Sequence, residues 1–147
     1  MSNVYQLIWF RQDLRIHDHV ALWQATQAGS CIAIVVLSPE QWQQHDDAPI
    51  KIEFYLRQLQ ELKQQLDTLN IPLIVQTIPL WKDIATCFLD LVQFINFQHI
   101  YANIEGRGQY MSLHEMFFYC QSYNIVQEDT CFHLKLFVFH NYHPDLY

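Results

Sequence analysis

The feature that most constrains the fold is an unbroken apolar run, Cys31-Ile-Ala-Ile-Val-Val-Leu37, between two segments with helical periodicity. A strand that is apolar on both sides must be covered on both faces, as happens in parallel sheets flanked by helices. Strand and helix patterns alternate along the rest of the chain. The predicted strands are 4–10, 31–37, 72–77, 99–103 and 125–129, and the predicted helices are 18–28, 49–69, 81–95 and 106–122. This alternation predicts an α/β fold with a doubly wound, Rossmann-like, five-stranded parallel sheet and helices on both faces.

Two of the predicted helices have clear buried faces. In the first, Asp18 is expected to cap the amino end, and the inward positions are Ala21, Leu22, Ala25 and Ala28. Pro49 opens the longest helix, where the fixed φ of proline suits the first turn. Its apolar positions recur every three or four residues, at Ile52, Leu56, Leu59, Leu62, Leu66 and Leu69. The pattern predicts that this stripe packs on the sheet.

Composition narrows the classes of function. The chain has 147 residues, 51% of them hydrophobic, which suits one domain with a good core. Its net charge is −7 and its few basic residues form no stripe, so we expect no strong direct binding to DNA. The sequence has no secretory signal and no apolar run of about 18 residues, which predicts a cytoplasmic protein without a membrane span. The four cysteines form no C-x-x-C pair and are interpreted as buried free thiols.

The glycines argue against a conventional dinucleotide site. The chain has three glycines, and none stands in a G-x-G-x-x-G turn after the first strand or in a phosphate-binding loop. Gly106-Arg107-Gly108 permits a close approach of backbone to a ligand, but a simple turn is the preferred interpretation. The fold therefore indicates a nucleotide-binding architecture without the usual phosphate cradle.

A dense cluster of charges follows the first strand. Arg11, Asp13, Arg15 and Asp18 all lie within eight residues. In open α/β sheets, ligands and partners gather at the carboxyl ends of the strands, so these side chains are candidates for a binding or domain-docking surface. The alternative is a set of structural ion pairs that fixes the first turn.

Histidines and tryptophans give weaker signals. His17-Asp18-His19 and His45-Asp46-Asp47 contain metal-binding side-chain types, but no third fixed ligand is visible and no metal site is predicted. The four tryptophans fall on separate elements and are interpreted as core or rim residues. No catalytic residue is assigned.

Several longer stretches resemble the DNA photolyase/cryptochrome family. They are WFRQDLRIHDHVAL at 9–22, SPEQWQQH at 38–45, the segment 54–75, and Ile100-Tyr-Ala-Asn103. The resemblance implies the amino-terminal α/β domain that holds a light-harvesting antenna chromophore. It also implies a separate, larger helical domain that binds FAD and repairs pyrimidine dimers, for which this chain has no counterpart. FAD is therefore not expected in this chain.

The resemblance also implies where an antenna chromophore would bind. Folate-type relatives hold methenyltetrahydrofolate with a histidine after the second strand, which His45 matches. An asparagine–glutamate pair in the fourth helix is replaced here by Gln109 and Tyr110, and a later arginine–aspartate pair by Leu113 and His114. Because unpaired polar edges of a pterin would cost about 1–3 kcal/mol each, both a working and a weakened site stay open, as does another antenna chromophore.

The resemblance ends near residue 134. We expect a photolyase-like domain over residues 1–134 and a diverged or frameshifted tail over 135–147, and we expect no repair activity from the chain alone. A separate FAD-binding helical domain is then an expected partner. The competing interpretation is a non-enzymatic nucleotide- or partner-binding α/β module.

The last expectation concerns self-association. The face that packs on the helical domain in relatives should be exposed, and the run that includes Leu134 and 136–139 is apolar and β-prone. Such a run adds to an edge of its own sheet, pairs with another copy or aggregates. We expect a homo-oligomer, preferably a dimer through this tail.

Overall fold

The computed structural model describes residues 3–103 and 133–137 of the chain. Its strands are β1 (Tyr5–Phe10), β2 (Cys31–Leu37), β3 (Leu73–Thr77), β4 (Phe97–Asn103) and β5 (His133–Phe137). All neighbouring strands are parallel, in the order β3-β2-β1-β4-β5. The predicted doubly wound α/β class is confirmed.

The strand beside β4 differs from the predicted fifth strand. The expected segment, 125–129, lies outside the described residues, as does the predicted helix at 106–122. β5 instead pairs His133–Phe137 with His99–Asn103. It crosses the boundary that was expected between residues 134 and 135, and it occupies an edge of the chain's own sheet. Adding to that edge was the first of the three arrangements considered for this run.

The helices are α1 (Val20–Ala28), α2 (Pro39–Gln44), α3 (Pro49–Thr68) and α4 (Ile84–Phe94), with a 3₁₀ turn at Trp81–Asp83 before α4. α1 and α3 cover one face of the sheet, where Ile8 and Phe10 of β1 meet the inner sides of both helices. On the other face, Trp9 and its neighbours pack with Phe88 of α4. The alternating residues of β1 thus fill two separate cores, as its continuous apolar sequence requires.

The capping residue of α1 was predicted one position too early. His19, not Asp18, is the N-cap, and its ring Nδ1 accepts a hydrogen bond of 3.0 Å from the Leu22 N–H. Asp18 has φ = +49°, a left-handed conformation that aspartate tolerates better than most residues. This tight bend leads the chain into α1, and the side chain of the next residue, His19, then reaches the Leu22 N–H at the start of the helix.

Side-chain burial also corrects details of the helical faces. Leu59, Leu62 and Leu66 are buried on α3, as predicted, but Leu56 and Leu69 are exposed. Ala28, at the end of α1, is exposed as well. Tyr55, four residues before Leu59, packs on this core where Leu56 was expected, so the helical period alone assigned the wrong residue to the inner face of α3.

Other differences lie at the ends of elements. The segment 38–45 lies between the predicted strand 31–37 and the predicted helix 49–69, and there Pro39–Gln44 forms the short helix α2, with proline in its first turn. β4 starts two residues earlier than expected, at Phe97. Cys31 and Cys87 are buried free thiols, and burial raises the pKa of Cys31 to about 11. No helix in the described ranges is both long and apolar enough for a membrane span.

Candidate functional site

The strand order places a topological switch at the carboxyl end of β1. The chain proceeds from β1 to β2 and β3 on one side and returns to β4 on the other. Ligands of open α/β sheets bind outside the carboxyl ends of strands near such a switch. Two different arrangements meet at this edge, one between β1 and β4 and the other between β1 and β2.

Between β1 and β4, polar side chains bond to one another. We call Asp13, His19 and Asn103 the switch-point network. Asp13 Oδ2 lies 2.6 Å from His19 Nε2 and accepts a hydrogen bond of 2.9 Å from Asn103 Nδ2, while Oδ1 accepts one of 3.0 Å from the Arg11 N–H. Asn103 Oδ1 in turn accepts a hydrogen bond of 3.1 Å from the Ala21 N–H.

The hydrogen bonds of His19 define its form. Because Nδ1 accepts from the Leu22 N–H, the ring proton belongs on Nε2, which points to Asp13. The side chain is fully buried and packs on the Phe10 ring at 4.6 Å between centroids. The buried ring is thus fixed between the start of α1 and the Asp13 carboxylate.

Asp13 is held as a carboxylate. Burial acts to raise the pKa of Asp13. The hydrogen bond and the electrostatic attraction from His19, together with the Arg11 N–H, outweigh burial and lower the pKa of Asp13 below its ordinary value. Together, His19 and Asn103 occupy two N–H groups at the start of α1, where a nucleotide phosphate would bind in a conventional dinucleotide domain. This half of the edge is therefore structural.

The two arginines of the opening cluster have separate roles. The Arg11 guanidinium donates to the Asn103 carbonyl oxygen and lies over the Trp9 ring, 5.1 Å from its centroid. Arg15 is exposed, and its guanidinium donates to the carbonyls of His17 and Asp18. The short-range partners of Asp13 are thus a histidine and an amide. A domain-docking role for Arg11, Asp13, Arg15 and Asp18 stays a prediction.

Between β1 and β2, the same edge contains a cavity of about 220 Å³. We call it the aromatic cavity, because five aromatic residues line it. They are Trp9 of β1, Trp42 of α2, Phe54 and Tyr55 of α3, and Trp81 of the 3₁₀ turn. The cavity is smaller than the ~300–1,000 Å³ of pockets that enclose whole drug-sized ligands, so it suits one planar ring system.

Contacts between elements fix these walls. The Tyr55 hydroxyl donates a hydrogen bond of 2.8 Å to the Arg11 carbonyl, and its ring meets Trp42 edge to face at 6.2 Å. The Trp81 N–H of the backbone donates to Gln41 Oε1 at 3.3 Å. Each wall is therefore tied to a neighbouring element, which keeps a cavity open that apolar side chains would otherwise fill.

Polar groups are few and lie around this aromatic surface. Lys51 and Asp47, 2.6 Å apart, line the cavity with Arg11. Ser38, which follows β2, is also among the lining residues and is only 1% exposed. A mainly aromatic wall with a few fixed polar groups is the usual composition of a site for a planar organic ligand.

The residues that were predicted for a chromophore fall in different places. His45 is the C-cap residue of α2, and its ring stacks on Trp81 at 5.5 Å with an angle of 26° between planes. It therefore contacts a wall of the aromatic cavity. Gln109 and Tyr110 lie outside the described residues. Within the described ranges, no group of three histidine, cysteine or acidic side chains is placed to hold a metal ion.

Sequence reasoning missed the convergence of the tryptophans. Trp9 is a core residue, as expected, but Trp9, Trp42 and Trp81 come from three elements and meet at one cavity. Two signals were available: Trp9 precedes the end of a central strand, and Trp42 and Trp81 follow the ends of its neighbours β2 and β3. Carboxyl ends of parallel strands share one edge, and these positions come close together because β1, β2 and β3 are neighbours in the sheet.

Comparison with known proteins agrees with this geometry. Residues 6–112 match the family model of DNA photolyase. Deoxyribodipyrimidine photo-lyases of Neurospora crassa and Vibrio cholerae are each 38% identical, over 66% and 67% of this chain and 17% and 21% of their own lengths. Cryptochrome-1 of Arabidopsis thaliana is 30% identical over 69% of this chain and 14% of its own length.

The fold and the two-part edge define a doubly wound α/β domain with an aromatic cavity at the carboxyl edge of its sheet and no phosphate cradle at the start of α1. The chain belongs to the DNA photolyase family. It spans about a fifth of the length of the curated relatives named above, or less.

Proposed function

We propose that this chain is the antenna-chromophore domain of a photolyase-like DNA repair flavoprotein. The observation that carries the proposal is the aromatic cavity, with three tryptophans and a tyrosine around a space of about 220 Å³. Aromatic walls at a fixed separation stabilise a planar ring by stacking. The relatives are named as photo-lyases, and the cavity lies where open α/β sheets take their ligands.

The described residues suit a chromophore with one planar ring system. Trp42, Tyr55 and Trp81 would hold its faces, and His45 would support Trp81 from the other side. Methenyltetrahydrofolate is the proposed chromophore, and a flavin-type ring is the alternative. When bound, either group supplies absorption of near-ultraviolet or blue light. The protein supplies orientation and excludes water from the ring.

We further propose that the chain has no photorepair activity by itself. Repair in this family needs a bound FAD that donates an electron, and the cofactor provides that chemistry. Within the described residues, the edge next to β4 is filled by the switch-point network, and the aromatic cavity takes only one ring system. A separate FAD-binding helical domain is the proposed partner.

The second candidate function is a non-enzymatic nucleotide- or partner-binding module. The observation in its favour is the doubly wound sheet itself, which serves many unrelated functions. The blocked helix start argues against a phosphate-containing nucleotide at the β1/β4 switch, because His19 and Asn103 already take its N–H groups. This candidate therefore rests on a protein partner.

An absorption spectrum of the purified chain tests the proposal. The protein should retain a band in the near-ultraviolet or blue after gel filtration, or acquire one when mixed with methenyltetrahydrofolate or FMN. Absence of any retained band with either compound would favour the partner-binding module. Loss of pyrimidine dimers from irradiated DNA in the light, with this chain alone, would overturn the proposed inactivity.

A further inference from the structure

The strand β3 forms one edge of the described sheet. Among the residues that the structure describes, it pairs with β2 alone, in a regular register from Leu73 to Thr77 without a bulge. Val75, at the centre of the strand, is 46% exposed, so the described residues leave this part of the strand open. An open edge strand presents a row of N–H and C=O groups that form a template for another strand.

The hydrogen bonds to β2 identify which backbone groups of β3 point outward. The Pro72 carbonyl accepts from the Ala33 N–H at 2.9 Å, and the Ile78 N–H donates to the Leu37 carbonyl at 2.9 Å. In a strand whose partner lies on one side, the backbone groups of alternate residues face that partner, so every second residue from Pro72 to Ile78 faces β2. The residues whose N–H and C=O groups lie along the outer edge are therefore Leu73, Val75 and Thr77.

The usual protections of an edge strand are not present in β3. Its sequence, Leu-Ile-Val-Gln-Thr, contains no charged residue and no proline. The nearest charged residues along the chain are Asp67 and Lys82. By contrast, β5, at the opposite edge of the described sheet, has Lys135 at its centre. A lysine on an edge strand opposes the addition of another strand, whereas an uncharged, apolar strand permits it.

We infer that β3 is a self-association surface, on which β3 of a second copy of this chain pairs in the antiparallel direction about a twofold axis at Val75. In this register Val75 lies opposite its own counterpart, and Leu73 lies opposite the counterpart of Thr77. All the outward N–H and C=O groups of the strand then form hydrogen bonds between the two copies. This surface goes beyond the proposed function and does not depend on it.

The residues on either side of β3 favour this register over its neighbours. If the axis moved one residue towards the carboxyl end, Leu73 would face Pro79, which has no N–H. If it moved one residue the other way, Thr77 would face Ile71, whose N–H already donates to the Leu66 carbonyl at 3.0 Å. The central axis is the one that pairs all the outward groups.

A second copy of the chain suits this edge for two reasons. Twofold antiparallel pairing uses the same surface on both copies and closes on itself, so it satisfies both edges without forming a fibre. The chain has a net charge of −7, and the uncharged segment 68–81 lets two copies approach without like charges opposite each other. Strands of five residues make a smaller contact than the ~1,200–2,000 Å² of stable interfaces, so we expect a reversible dimer that depends on concentration.

A disulfide test reports the register directly. Opposed residues in a hydrogen-bonded antiparallel pair have Cα atoms about 5.5 Å apart, which suits a disulfide. Val75→Cys should therefore form a covalent dimer under mild oxidation. Thr77→Cys is the matched control, because Thr77 is exposed on the same strand but would lie about 13 Å from its counterpart. Oxidation of the wild type in parallel corrects for the cysteines that the chain already has.

A charge test reports the association itself. Val75→Lys places two like charges opposite each other at the axis, so it should lower the mass towards that of the monomer at concentrations where the wild type is dimeric. The control is Gln27→Lys, which makes the same charge change at an exposed position of α1, a helix that packs mainly on β1 and β4. Light scattering after gel filtration gives the masses, and thermal melting shows that each variant is folded.

The outcomes separate pairing through β3 from other arrangements. A wild type that stays monomeric at high concentration would overturn the inference and leave the edge to a strand of a different protein. Equal masses for the wild type and Val75→Lys would assign the association to another surface and also overturn it. Equal cross-linking of Thr77→Cys and Val75→Cys would overturn the twofold axis at Val75. None of these results bears on ring binding in the aromatic cavity.

Discussion

The two halves of the carboxyl edge of the sheet use the same strand in opposite ways. Beyond Phe10, the β1/β4 half brings the polar side chains of Asp13, His19 and Asn103 into contact, with 2.6 Å between His19 Nε2 and Asp13 Oδ2 and a hydrogen bond of 2.9 Å from Asn103 Nδ2 to Asp13. The β1/β2 half of the same edge contains the aromatic cavity. The first half is filled by side chains of the chain itself, and the second contains open space.

This difference shows what a cluster of polar residues means in each setting. Where polar side chains already contact one another, a ligand must first break existing bonds. A cavity with aromatic walls gains stacking contacts when a planar ring fills it. Charge density in the sequence is highest at the first half, yet the cavity that we propose as the binding site lies in the second.

The largest expected effect comes from Asp13→Ala. It removes the acceptor for His19 and the oxygen that bonds to the Asn103 amide, and so leaves two buried groups unpaired. We expect a loss of about 3 kcal/mol in the free energy of unfolding, measured by urea denaturation. The control is Asp67→Ala on exposed α3, whose pairing with Lys63 contributes about 0.3–0.5 kcal/mol. Equal, small losses for both variants would contradict a structural network.

A double-mutant cycle tests whether the network acts as one unit. Asn103→Ala removes the acceptor of the Ala21 N–H as well as the donor to Asp13, and we expect a loss of about 2 kcal/mol. The double variant with Asp13→Ala should lose about 1 kcal/mol less than the sum of the two single losses, because each single variant already breaks the shared hydrogen bond. Additive losses would mean that the two side chains act independently.

Asp13 should account for part of the fall in the free energy of unfolding at acid pH. Its folded-state pKa is lowered, so this carboxylate contributes stability above its ordinary pKa of 3.8. That contribution is lost as the pH falls through the lower folded value. Asp13→Asn should therefore reduce the dependence of the free energy of unfolding on pH below about pH 4. If the fall in the free energy of unfolding below about pH 4 is the same in Asp13→Asn as in the wild type, other groups cause it.

The sequence predicts the fold class of this molecule better than it predicts the details of its helices and of the candidate site. The fold class follows from two patterns, the apolar run 31–37 and the leucines that recur every three or four residues in α3. Together they require a parallel sheet that is covered by helices. The exposure of Leu56 and the choice of His19 as N-cap depend on how the helices pack on the sheet. The period of the apolar residues does not contain that information. His45 was found through resemblance, but the union of three tryptophans depends on strand order, and residue spacing leaves that order open.

The smallest expected effect on stability concerns the exposed apolar residues of α3. Ile50 and Phe54 are 71% and 62% exposed and lie one turn apart on α3, where Phe54 also lines the aromatic cavity. We propose that they contribute to self-association of the chain through an apolar face. Phe54→Ser should change the free energy of unfolding by less than about 0.5 kcal/mol but reduce the mass measured by light scattering after gel filtration. A wild type that is monomeric at high concentration would contradict this proposal.

The contrast between the two halves of the carboxyl edge is tested most directly by measuring how Trp81→Ala and Asp13→Asn bind a pterin or a flavin. Equilibrium titration with methenyltetrahydrofolate and with FMN should show at least about ten-fold weaker binding for Trp81→Ala, which loses a wall of the aromatic cavity. Asp13→Asn should bind with wild-type affinity although its free energy of unfolding is reduced. The reverse result, with binding lost in Asp13→Asn and retained in Trp81→Ala, would place the ligand at the β1/β4 switch and contradict the account.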